Sequence, residues 1–133
     1  MKLTNRSEYG LLALVYLARL QNQGLMSADT IAKEQGIPKR FLQQILFKLK
    51  RGGYIRTHKG HSGGYELARP AAQISVAEIV RFFEGPLAAT SSVSKNFYEP
   101  SPIEREPGFV RLFSRIRDEV ANILEATTLA DLI

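Results

Sequence analysis

Between Gln35 and Tyr65 the chain reads QGIPKRFLQQILFKLKRGGYIRTHKGHSGGY, a run with seven cations and no carboxylate. The seven are Lys39, Arg40, Lys48, Lys50, Arg51, Arg56 and Lys59; the other eleven Lys and Arg are set against all 13 acids, a net of −2. The formal charge of +5 in 133 residues therefore comes entirely from about a quarter of the length. Charge gathered on one segment is the footprint of a polyanion binder. It also limits the fold, because such a segment must keep one side in water.

The spacing within the run says which side. Pro38 suits the first turn of a helix, where a missing N–H leaves nothing unpaired. Phe41, Leu42, Ile45, Leu46 and Leu49 follow at helical spacing as one apolar stripe. Arg40, Gln43, Gln44, Phe47 and Arg51 fall on the opposite face, with Lys39, Lys48 and Lys50 on the flanks. Gly52-Gly53 ends the helix, since Gly takes the left-handed C′ conformation at little cost. YIRTH and GYELA predict two short strands around the turn KGHSGG. A helix followed by a basic hairpin predicts the recognition element and wing of a winged helix-turn-helix. Gln and Arg are the side chains that reach A and G edges bidentately in a major groove.

Around that centre the fold class is mainly α with a small β-hairpin. A first helix from near Asn5 or Ser7, with capping-box spacing from Asn5 to Glu8, is apolar around most of its girth. Ser27 predicts the cap of a short helix, ADTIAKEQ, and Gly36 a tight turn before Pro38. Ser75 caps VAEIVRFFEG, and Gly85-Pro86 stops it. The polar text from Leu87 to Gly108 predicts a loop of about 20 residues. A final helix carries Phe109, Leu112, Phe113, Ile116, Val120, Ile123 and Leu124 in one seam. Its length outruns what so small a domain covers, so its expected partner is its own copy. The division expected is 1–86 for the winged domain, 87–108 for the loop, and 109–133 for the dimerisation helix and tail.

Composition closes off other classes. Zero cysteines exclude disulfides, thiolate metal sites and cysteine nucleophiles. No apolar run is long enough to cross a membrane, and no apolar export segment follows Lys2, so the expected compartment is the cytoplasm. GHSGG lacks the spacing of a phosphate-binding loop. SVSK at Ser92 to Lys95 stands without the companion motifs of penicillin-binding enzymes. Nothing supports an enzyme.

The blocks MKLTNRSEYGLLAL, IAKEQGIPKRFLQQILFKLKRGGYI, GHSGGYELARP, ISVAEIVRFFEGPL and TLADLI resemble, in order, the Rrf-type winged helix-turn-helix transcription regulators of the IscR, NsrR and CymR type. The resemblance covers almost the whole chain. It implies a homodimeric regulator, expected to be a repressor, that crosses its long terminal helices and reads a palindromic operator in double-stranded DNA. It places base reading on Lys39, Arg40, Gln43 and Gln44. The charge pattern itself expects Lys48, Lys50, Arg51, Arg56 and Lys2 mostly to bind phosphate and set affinity, with Pro38 and His58 also among the DNA-binding residues. The resemblance places phosphate contacts at Lys2, Thr4 and Arg6. The family wing commonly reads R-G-P-G-G-G-Y; here it is Lys59-Gly60-His61-Ser62-Gly63-Gly64-Tyr65, with lysine in place of the minor-groove arginine. Many relatives carry three cysteines between the positions matching 87 and 108. This chain has none, so no iron–sulfur cluster and no other cofactor is expected. The signal is then a small-molecule effector, a protein effector, or none.

Two details compete with plainer readings. Phe47, apolar on the polar face, is expected to pack under the wing in preference to touching a thymine methyl. The whole winged helix could serve as a protein-interaction module that regulates a partner enzyme without operator reading. The concentrated cations argue against that, because a docking face has no need to exclude acids.

Overall fold

Small polar residues and glycines punctuate the helices. The computed structural model describes Met1–Ile133 and holds α1 (Asn5–Arg19), α2 (Ala28–Gln35), α3 (Lys39–Arg51), β1 (Ile55–His58), β2 (Gly64–Leu67), α4 (Val76–Glu84) and α5 (Pro107–Ala126). Ser27 Oγ accepts from Thr30 N–H and Ser75 Oγ from Glu78 N–H, both at 3.1 Å, so two predicted caps hold. Gly36 (φ 65°) makes the left-handed turn between α2 and α3. Gly53 (φ 79°) does the same after α3: its N–H donates to Lys50 O, and Tyr54 N–H reaches back to Leu49 O. α1 differs from expectation. Its N-cap is Thr4, whose N–H donates to Ser7 Oγ at 3.1 Å, and the Asn5–Glu8 spacing plays no part.

One core gathers these elements. Leu14 and Leu17 of α1, Ile31 of α2, and Leu42, Ile45, Leu46 and Leu49 of α3 meet Ile55 and Leu67 of the hairpin, Ile74 just before α4 and Ile79 within it. Phe41, placed by periodicity on this apolar stripe, is instead 41% exposed and stacks on Tyr9 at 6.4 Å between ring centroids. It lies at the stripe's edge, where α1 covers only one side of the ring. α1 and α4 approach closely at Gly10, where an added Cβ would lie 2.4 Å from the Phe83 ring.

The hairpin pairs antiparallel, with Ile55 opposite Leu67 and His58 opposite Gly64. A third segment fastens it. Met26, just before α2, exchanges backbone hydrogen bonds with Tyr65 at 2.9 and 2.8 Å. The wing is therefore fixed to the helix-turn-helix, and Gly64 permits the approach, since a Cβ there would meet Met26 O at 2.8 Å.

The segment 87–108 is less open than its composition predicts. Leu87, Ala88, Val93 and Ser94 are buried, and short 3-10 turns form at Ser91–Val93 and Pro102–Arg105. Ser101 Oγ bonds Ser92 Oγ at 2.6 Å and Thr90 Oγ1 at 3.1 Å, while Arg117 of α5 donates to Val93 O. Hydroxyls bonding hydroxyls and backbone leave no periodic signal, which is why the text reads as loop.

α5 runs about 30 Å at 1.5 Å per residue, and none of its residues is fully buried. Its seven-residue seam spans an arc of about 120° at 100° per residue, and the fold divides that arc. Phe113, Val120 and Leu124 are half-buried, whereas Phe109, Leu112, Ile116 and Ile123 are exposed, Ile123 by 66%. After α5 the chain turns back. Val76 N–H donates to Thr127 O, Leu129 N–H donates to Ile74 O, and Leu129 enters the main core at 1% exposure.

Candidate nucleic-acid interface

Four buried side chains of α3 decide what the helix shows to solvent. With Leu42, Ile45, Leu46 and Leu49 inside, Arg40, Gln43, Gln44, Phe47, Lys50 and Arg51 are outside. The wing stands beyond the C-terminal end of α3, and its tip, Lys59 to Ser62, is exposed. Gly60 takes φ 113°, and its carbonyl accepts from Gly63 N–H at 3.1 Å. Gly63 packs so closely that a Cβ would sit 2.1 Å from His58 O, so this tip excludes side chains at both ends.

The start of α1 joins the same surface. Arg6 lines a groove with Gln44, Phe47, Lys48, Arg51, Gly52 and Phe82. Asn5 and Tyr9 adjoin Phe41 and Gln44 beside it. Sequence reasoning named Lys2, Thr4 and Arg6 but missed Asn5 and Tyr9. Tyr9 lies one helical turn from Arg6, which is the signal that could have pointed to it.

The positive charge is not uniformly free. Lys39 Nζ lies 2.6 Å from Asp29 Oδ1, and Arg56 Nε donates to Glu66 Oε1 at 2.8 Å. The same oxygen is 3.2 Å from His58 Nε2. Arg56 first, and then His58, holds the Glu66 carboxyl below its ordinary 4.5. The stretch from 35 to 65 is free of acids, yet folding brings one acid from α2 and one from β2 against it. Thr4 is similarly engaged, its N–H and hydroxyl donating to the Glu84 carboxylate at 2.8 and 3.0 Å. Lys48 turns back over α4, its Nζ 5.1 Å from the ring centres of Phe82 and Phe83. Arg40, Lys50, Arg51 and Lys59 make no ion pair and form the open cationic surface.

Phe47 overturns its expectation. It is 62% exposed, with the Arg51 guanidinium over its ring at 5.8 Å. The wing is held by Met26 and the core, and Phe47 stands on the outer face of α3 in a groove lined by Arg6, Gln44, Lys48, Arg51, Gly52 and Phe82.

Helix, glycine turn, second helix with a polar outer face and a glycine-tipped basic hairpin together define a winged helix-turn-helix protein. Comparison with known proteins agrees. The family model described as "Rrf2: Iron-dependent Transcriptional regulator" matches residues 3–133. The chain is 30% identical over 132 residues to the HTH-type transcriptional regulator CymR of Bacillus subtilis, covering 99% of this chain and 89% of that one. It is 34% identical over 135 residues to the HTH-type transcriptional regulator IscR of Cereibacter sphaeroides, covering 100% and 87%. The solved structure of CymR, the global cysteine regulator of B. subtilis, superposes with a TM-score of 0.80 at 30% identity over 99% of this chain and 95% of that one. IscR of T. potens gives 0.76 at 26% identity over 99% and 85%. The protein belongs to the Rrf2 family of transcriptional regulators, a family of DNA-binding proteins rather than enzymes.

The iron in that family's description finds no match in this donor set. The chain has no cysteine, and no three or more His, Asp or Glu side chains stand close enough to hold a metal ion. The two histidines sit in the wing, away from the 87–108 segment. These residues do not fit an iron–sulfur cluster.

Proposed function

We propose that the protein is a cluster-free transcriptional repressor that binds a palindromic operator as a homodimer in the cytoplasm. The observation that carries this reading is the outer face of α3. Arg40, Gln43 and Gln44 stand exposed together, flanked by unpaired Lys50 and Arg51 and continued by Lys59 at the wing tip. In this reading α3 enters a major groove, and Gln43, Gln44 and Arg40 read base edges. Arg6, Lys50, Arg51 and Lys2 bind phosphate and set affinity, and the wing tip with Lys59 and His61 follows the adjacent minor groove.

The dimer is supported by two unpartnered apolar surfaces. One is the exposed half of the α5 stripe. The other is a shallow groove of Leu11, Leu12 and Val15 of α1 with Val76, Leu129 and Leu132. No helix is long and apolar enough to cross a membrane. The test is selection of bound sequences from random duplex DNA by the purified, metal-free protein. A palindrome with half-sites about one helical turn apart is the expected result. Binding without sequence enrichment would overturn the reading and favour a docking module.

A further inference from the structure

We infer that Phe47 is a specificity residue: its ring takes the 5-methyl group of a thymine in each operator half-site. This rests on the operator reading above. The first observation is exposure. α3 buries its four aliphatic side chains and leaves Phe41 stacked on Tyr9, yet it presents Phe47 at 62% exposure on its polar face. The second is position. Phe47 stands one turn beyond Gln43 and Gln44, so the three side chains share a face. The third is what surrounds the ring. Phe47 lines a groove with Arg6, Gln44, Lys48 and Arg51, and the Arg51 guanidinium covers one side of it.

Arg6 and Arg51 in the same groove draw a phosphate backbone to it, and the apolar ring beside them meets what lies between the strands. In a major groove the one apolar group a base edge offers is the thymine methyl. An exposed Phe is often inert on a protein surface. Here it stands in the middle of a charged, DNA-facing helix face, where an inert position would be polar. A rise of about 5 Å separates Phe47 from Gln44 along the helix, against about 3.4 Å per base step. The thymine therefore lies one or two base pairs from the base that Gln44 reads.

The experiment uses the selected operator and the full-length protein. Each thymine is replaced in turn by deoxyuridine, symmetrically in both half-sites, which removes only the methyl group. Affinities of the wild type and of Phe47→Ala are measured by fluorescence anisotropy. The wild type should lose about fourfold per half-site at one position, the transfer free energy of one buried carbon group. Phe47→Ala should bind the unmodified operator correspondingly weaker and be indifferent to uridine at that position. A wild type insensitive at every thymine overturns the inference while leaving operator reading intact. So does a Phe47→Ala protein that keeps the same uridine penalty, or one that loses random and operator DNA equally. Failure of the wild type to prefer any operator removes the reading beneath it as well.

Discussion

Replacing Glu66 by Gln should tighten DNA binding, a direction that follows from the wing's geometry. In the free protein one oxygen of Glu66 accepts from Arg56 Nε at 2.8 Å and lies 3.2 Å from His58 Nε2, so a single carboxylate engages two of the wing's donors. Its pKa is lowered from 4.5, chiefly by Arg56. A depressed carboxylate keeps its pairing above its ordinary value and loses it only as pH falls through the lowered one. At neutral pH the anion is fully present. A unit charge about 6 Å from a phosphate is repelled by about 0.7 kcal/mol in a water-like dielectric. Screening at 0.1 M salt reduces that to about 0.4 kcal/mol. Two wings then contribute about 0.8 kcal/mol, close to fourfold in affinity. Releasing Arg56 to a phosphate also steepens the slope of log affinity against log salt by about 0.9 per wing. The assay is an anisotropy titration of Glu66→Gln on operator and random duplex between 50 and 200 mM salt. The exposed pair contributes at most about 1 kcal/mol to folding, so the variant remains folded. Asp118→Asn is the control, since Asp118 pairs with Arg117 and Lys95 away from the wing. Equal or weaker binding with an unchanged slope would refute the reasoning, and would mean that Glu66 aims Arg56 or that the wing stays off the DNA.

Gln44→Ala should cost about 1–3 kcal/mol on one half-site base and leave random DNA almost unaffected; equal losses on both would move Gln44 off the base edge. Joint Ile116→Asp and Ile123→Asp should leave the protomer folded and shift sedimentation from dimer to monomer, with operator affinity falling to that of a half-site. A dimer that survives would place the contact elsewhere, on the α1 groove. Gly10→Ala forces a Cβ to within 2.4 Å of the Phe83 ring and should lower stability by about 1–3 kcal/mol in denaturant titration. Gly108→Ala in the first turn of α5, whose nearest neighbour would be Arg111 Nη2 at 3.9 Å, should be neutral or slightly stabilising.

What the chain spells out locally, it determined alone. Ser27, Gly36, Gly53, Ser75 and Gly85 each act through their own backbone or a neighbour three or four residues away, so helix limits were legible from Ala28 to Glu84. The stripe of α3 was legible for the same reason, and with it the outward set of Arg40, Gln43 and Gln44. Tertiary structure decided everything that depends on residues distant in sequence. It matched Asp29 to Lys39 and Glu66 to Arg56, and so drew two acids onto a surface whose own segment has none. It bound the wing to Met26 and left Phe47 bare. It returned Leu129 to the core and split the α5 stripe into a face against its own domain and a face still open. Periodicity tells which side of an element is apolar. Only packing tells what covers that side, because burial is a property of what the rest of the chain brings up against it.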